Sequence, residues 1–131
     1  MLLALAFTAA THAQRGPQDS WYLDKQSLVN STPGFNLPTG LAFSPNGDAY
    51  VTDQGNDRIS VWAANGAFRF GFGKHGTGDG DFRDPFDLSI GDGEVYVSDW
   101  SNHRIQVFDM QGKFLRKWGS YGSSTGQFQN P

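Results

Sequence analysis

The chain has 131 residues, formal net charge −3 and no cysteine. Its length suits one domain, and the missing cysteines exclude a disulfide framework and thiolate chemistry. Twelve aspartates against the single glutamate Glu94, 17 glycines and 15% aromatics favour strands and turns over helices.

At the amino terminus, Leu2 to Ala10 is an apolar run too short to span a bilayer, followed by Thr11-His12-Ala13 with small residues at −3 and −1. The pattern predicts a signal peptide over residues 1–13 and export to a secreted, periplasmic or cell-surface compartment, with no membrane span elsewhere. Residues 14–34 show no repeat and read as a leader, in which Trp21-Tyr22-Leu23 could be an outer, ring-closing strand.

Four short strands are predicted next, at Leu41–Phe43, Asp48–Asp53, Arg58–Ala63 and Ala67–Phe72. Four more follow at Asp87–Ile90, Glu94–Asp99, Arg104–Asp109 and Lys113–Trp118. Asn46-Gly47, Asn65-Gly66 and Asp92-Gly93 are dipeptides that favour tight hairpin turns. Between the two sets lies Gly71-x-Gly73-x-x-Gly76, the spacing of a dinucleotide fingerprint. That fingerprint works only where a helix opens inside it and aims its N–H groups at pyrophosphate, and no helical rhythm follows here.

A shift of 46 residues explains the glycines. Tyr50-Val51-x-Asp53-x-x-Asn56-x-Arg58-Ile59-x-Val61 returns as Tyr96-Val97-x-Asp99-x-x-Asn102-x-Arg104-Ile105-x-Val107, and Gly73, Gly76, Gly80, Phe82 and Pro85 return as Gly119, Gly122, Gly126, Phe128 and Pro131. Gly71 is replaced by Lys117, so the fingerprint is diluted while the loop persists. The glycine run is therefore a connection between repeated units, and a period of this length with four strands per unit is that of a β-propeller blade.

These motifs resemble NHL repeats, with Asn102-His103-Arg104 standing where the family's name residues fall and Arg in place of Leu. The resemblance implies an all-β propeller with blade 1 over residues 35–81 and blade 2 over residues 82–131. Rings in that family typically have six blades, so further blades of the same chain are expected partners. Function does not follow from such a fold.

Among residues that look chemical, Asp53, Asn56 and Arg58 recur as Asp99, Asn102 and Arg104. Recurrence in every unit marks a structural clasp across the hairpin rather than catalysis. His75 and His103 stand singly in loops without metal-ligand spacing, and Asp79, Asp81 and Asp84 lack the calcium-loop pattern. No catalytic set, metal site or cofactor is expected.

Loops on one edge of each blade would carry Lys74, His75, Arg83, Phe86, Gln54, Asp57, Trp100 and His103. Gln54 faces Trp100 across the repeat, and Asp57 faces His103, so these positions vary while the scaffold is kept. The leading expectation is a non-catalytic binding or scaffold module whose candidate residues are Trp100, His103, His75, Arg83 and Gln54, with a protein or extracellular polymer as partner. One alternative is an enzyme resembling the zinc-dependent peptidyl-hydroxyglycine amidating lyase with its ligands on further blades, since Pro38-Thr39-Gly40 and Pro85-Phe86-Asp87 lack the histidine of that family's Pro-His-Gly. Another is an RNA-binding NHL propeller, which the acidic balance disfavours.

Overall fold

The computed structural model describes residues 34–131. The expected signal peptide and the strand at Trp21-Tyr22-Leu23 lie outside the described residues. Eight strands follow in chain order: β1 Pro38–Phe43, β2 Ala49–Asp53, β3 Arg58–Trp62, β4 Phe68–Phe72, β5 Pro85–Gly91, β6 Glu94–Asp99, β7 Arg104–Asp109 and β8 Phe114–Trp118. They form two four-stranded antiparallel meanders, β1-β2-β3-β4 and β5-β6-β7-β8, each a propeller blade.

The innermost strands begin earlier than the apolar pattern implies, at Pro38 and Pro85 rather than Leu41 and Asp87. Each enters through a break in register, between Pro38 and Leu41 and between Pro85 and Asp87, which hides the alternation from a sequence reading. The turns also differ from one another. Asp92 and Gly93 both have positive φ, at 52° and 74°, as a two-residue hairpin requires. At Asn46-Gly47 and Asn65-Gly66 only the glycine does, and the β3–β4 connection carries a register shift at Val61/Trp62 instead.

The core lies between the blades. Tyr50, Ile59 and Val61 of the first meet Leu88, Val95, Val97 and Phe108 of the second. Each such side chain, fully buried, contributes roughly 1.5–3 kcal/mol. Both faces of blade 1 are apolar, because Ala49, Val51 and Trp62 form a second cluster with Phe35, Leu41 and Phe68. This two-sided burial is why β2 is buried at all five positions instead of alternating. Tyr50 ties the blades by donating its hydroxyl to the Met110 carbonyl at 2.7 Å. Burial, then the neighbouring Asp48 carboxylate, raises the phenol's pKa, so it stays protonated and keeps donating.

Phe82 plugs the junction. It is fully buried, 5.5 Å from the Phe108 ring, and its backbone pairs with the glycine loop through Lys74 and Gly76. Gly73, at φ 92°, lies so close that a Cβ would stand 2.4 Å from the Phe82 ring, and Gly119 has the same relation to Phe128. The recurring glycine is thus required by an aromatic seated against bare backbone. Gly73→Ala is expected to cost about 1–3 kcal/mol through overpacking and the left-handed backbone, measured by denaturant unfolding. A loss no larger than that of a Gly78→Ala control would contradict the plug.

The other face of blade 2 carries Tyr96 with Glu94 and Arg116. Arg116 grips the Glu94 carboxylate with both terminal nitrogens, at 2.8 and 2.7 Å, and Tyr96 donates its hydroxyl to it at 2.8 Å. The Arg116 bonds first, and the Tyr96 bond second, hold the Glu94 pKa down from 4.5 to about 2. A lowered carboxyl contributes stability above its unfolded pKa and loses it as pH falls through the folded value. The stability gap between the native protein and Glu94→Gln should therefore close between pH 4.5 and about 2. Carboxyl NMR titration should give Glu94 a midpoint in the lower part of that window, and an ordinary midpoint would refute the grip.

Candidate functional site

The β2–β3 and β6–β7 connections are short 3-10 turns, Gln54–Asn56 and Trp100–Asn102, each closed by a left-handed residue. Asp57 (φ 51°) and His103 (φ 53°) fill that position, and both belong to the residue types that tolerate it best. The turns leave the same edge of the blades as the glycine loop, which the Ser101 N–H to Arg83 carbonyl bond ties to the second turn at 3.1 Å.

Beneath this edge lies the clasp. Asp99 is fully buried, and its Oδ2 accepts from Arg104 Nε at 2.7 Å, Asn102 Nδ2 at 2.9 Å and Gln106 Nε2 at 3.1 Å. Its Oδ1 accepts the Arg83 N–H at 2.8 Å. Arg104 then reaches across to the glycine loop, donating to the carbonyls of Thr77 at 2.9 Å and of Gly78 and Asp81 at 2.8 Å each. Asn102 adds the Gly76 carbonyl. The sequence placed Asp and Arg together across the hairpin but left out this second half, in which the guanidinium fastens the connection from the preceding blade.

Gln106 completes the arrangement. It is fully buried, donating to Asp81 O at 2.7 Å and accepting the Gly80 N–H at 2.9 Å. In blade 1 the pattern is thinner: Asp53 holds Arg58 and Asn56, but Arg58 reaches only the Gly34 carbonyl among the described residues. Ser60 stands where Gln106 does, with its buried Oγ unpartnered among the described residues.

The two clasps should therefore differ in strength. Arg104→Ala leaves a buried carboxylate and three carbonyls short of a donor and is expected to cost about 3–5 kcal/mol. Arg58, with its side chain 24% exposed, should cost only about 1–2 kcal/mol. Denaturant unfolding of the single variants and of the Asp99→Ala/Arg104→Ala double variant measures this. Strict additivity would mean that Asp99 and Arg104 do not interact.

Over the clasp, His75 is exposed and its Nδ1 lies 2.7 Å from Asp57 Oδ2. Asp57 Oδ1 accepts the Asp84 N–H at 2.8 Å, and Asp84 in turn accepts from Ser101 Oγ at 2.7 Å. His103 plays the part of Asp57 in the second unit, its Nδ1 facing the Asn130 N–H at 3.1 Å. An accepting Nδ1 carries no proton, so the neutral ring holds its proton on Nε2. Asp57 and His103 are thus variable in type but equivalent in role, each orienting the end of the next glycine loop.

The apolar part of the edge is a pair of rings, Phe86 and Trp100, 6.0 Å apart at 31°. Phe86 is the more open, at 47% exposure, while Trp100 is half-buried. Arg83 and Lys74 are exposed beside them, and Gln54 opens the first turn in the place that Trp100 has in the second. Tyr121, 68% exposed and edge-on to His103 at 4.8 Å, belongs to the same edge. It was overlooked in the sequence, although the 46-residue shift sets it against His75. Among the described residues no three His, Cys, Asp or Glu side chains gather to hold a metal, and no helix is long and apolar enough to cross a membrane.

Comparison with known proteins bears on these two blades. The sequence model of the NHL repeat matches residues 35–62 and 82–108, the heart of each sheet. Both blades are NHL repeats. The chain is similar to the human E3 ubiquitin-protein ligase TRIM32, 40% identical over 65 residues that cover 44% of this chain and 10% of that protein. Among solved structures it is similar to a streptogramin B lyase, with TM-score 0.51 and 23% identity, over 62% of this chain and 26% of the enzyme. A catalytically inactive virginiamycin B lyase from Staphylococcus aureus with quinupristin gives TM-score 0.51 and 17% identity over 68% and 28%. The chain thus spans about a tenth of the human protein and about a quarter of the two lyases. At such identity the lyases share the propeller fold with it, and that alone.

Proposed function

We propose that the NHL blades form part of an exported propeller whose loop edge binds a macromolecular partner, a protein or an extracellular polymer. The observation that carries the reading is the half-open Phe86–Trp100 pair on the same loop edge as Arg83 and the His75–Asp57 couple, on backbone that the clasp fastens. A half-open aromatic pair offers buried area at small entropic cost, and the imidazole and guanidinium add direction. The amino-terminal apolar run with its small-residue cleavage pattern supports export.

Support for an enzyme is narrower. The Asp57 carboxylate orients His75 and leaves its Nε2 towards solvent, as a general base needs, and propeller lyases share the fold. No cluster of His, Cys, Asp or Glu able to hold a metal joins it among the described residues. The match to TRIM32 covers only 10% of that protein, so ligase activity gains no support.

The test uses the full-length protein. A partner is captured from envelope or matrix extracts, identified, and titrated against purified variants. Phe86→Ala and Trp100→Ala should each weaken binding by about 2 kcal/mol, the size of an interface hot spot, while Arg116→Ala, on the outer face of blade 2, should not. Unchanged affinity in both aromatic variants, with the fold intact by circular dichroism, would remove this edge from the interaction. Mass spectrometry of the mature amino terminus tests export, with Gln14 as the expected first residue.

A further inference from the structure

At the opposite end of the blades from the 3-10 turns, the hairpins of the two sheets enclose a cleft of about 400 Å³. Both blades build it: Asp48, Tyr50, Arg69 and Phe70 come from the first, Met110 and Gln111 from the second. The bond from Tyr50 to the Met110 carbonyl crosses the junction and ties the two sides together. Phe70 and Met110 pack against the core behind it, so one wall is apolar and anchored.

The charged part is a half-used arginine. Asp48 is buried and forms an ion pair with Arg69, its Oδ1 3.1 Å from Nε, while its Oδ2 accepts from Asn46 Nδ2 at 3.2 Å. Both carboxylate oxygens are therefore occupied. The two terminal nitrogens of Arg69 hydrogen-bond nothing among the described residues, and the side chain is about half exposed. A guanidinium kept at the cleft by an ion pair on its Nε side, with both terminal nitrogens open, has the fork that a bidentate carboxylate needs.

The second repeat does not reproduce this. Leu115 stands in place of Arg69, and Arg116, in place of Phe70, spends both terminal nitrogens on Glu94. The clasp recurs because every blade needs it; the open Arg69 above an apolar wall does not recur, which separates it from the scaffold. The volume is that of a small-ligand site.

We propose that this cleft binds a carboxylate borne on a compact apolar group, free or at the carboxyl terminus of a peptide. The carboxylate meets the two terminal nitrogens of Arg69, and the apolar group lies against Phe70 and Met110. The site is separate from the loop edge and stands whether or not that edge binds a partner.

The experiment is calorimetric titration of the full-length protein with N-acetyl-L-phenylalanine and with a tetrapeptide ending in phenylalanine, each as the free acid and as the carboxamide. The acids should bind, and the carboxamides roughly tenfold or more weakly, as expected for losing hydrogen bonds to a charged group. The tighter of the two acids identifies the source as free acid or peptide end. Arg69→Gln should reduce both acids to the carboxamide level, while Arg116→Gln should leave them unchanged. Gln111→Trp fills the mouth from an exposed position and should abolish binding even if Arg69→Gln disturbs the fold. Equal binding of acid and carboxamide, no saturable binding of either acid, or full binding by folded Arg69→Gln or Gln111→Trp protein would each overturn the proposal.

Discussion

The structure depends on one interaction: a glycine-rich connection runs between the two sheets and is fastened by its carbonyls to a single guanidinium. Arg104 supplies the donors at Thr77, Gly78 and Asp81, and it can do so only because Asp99 fixes the other side of the guanidinium. A buried ion pair alone is weak support for stability, since desolvation offsets much of the attraction. Here Nε and both terminal nitrogens of Arg104 each have an acceptor, and the charge pair becomes a polar hub that locks loop to hairpin. The loop edge inherits its order from that hub, because Arg83 is held by Asp99 through its backbone.

The two repeats differ where they meet different surroundings. Blade 2 uses Gln106 to add two bonds to the loop, whereas blade 1 has Ser60 at that position. Blade 1 packs apolar side chains on both faces, while the face of blade 2 away from blade 1 carries Tyr96, Arg116 and Glu94. The repeat is thus uniform in its hydrogen-bonded hub and individual in its faces and edges.

Much of this was legible in the sequence for a physical reason. A clasp that each blade must rebuild leaves the same residues at the same spacing, so Asp99, Asn102 and Arg104 announced themselves by repetition. Alternation failed at β1 and β5 because a register break sits behind each proline. The reach of Arg104 to the glycine loop was hidden because its acceptors are backbone carbonyls, which have no residue signature. Asp57 and His103 looked free to vary, yet both serve as side-chain acceptors for a left-handed residue, a role that carboxylate and imidazole fill equally. Tyr121 and the open Arg69 escaped because exposure and the direction of a guanidinium depend on packing.

The clasp also has a consequence for the order in which the chain is made. The carbonyl of Thr77 precedes its donor Arg104 by 27 residues, and that of Asp81 by 23. At roughly 5–20 residues per second, the donor leaves the ribosome about one to five seconds after the loop it must fasten. During that interval the finished first blade trails an unfastened glycine tether. Each blade is completed by the one synthesised after it, so the array closes behind the growing chain, one hairpin late.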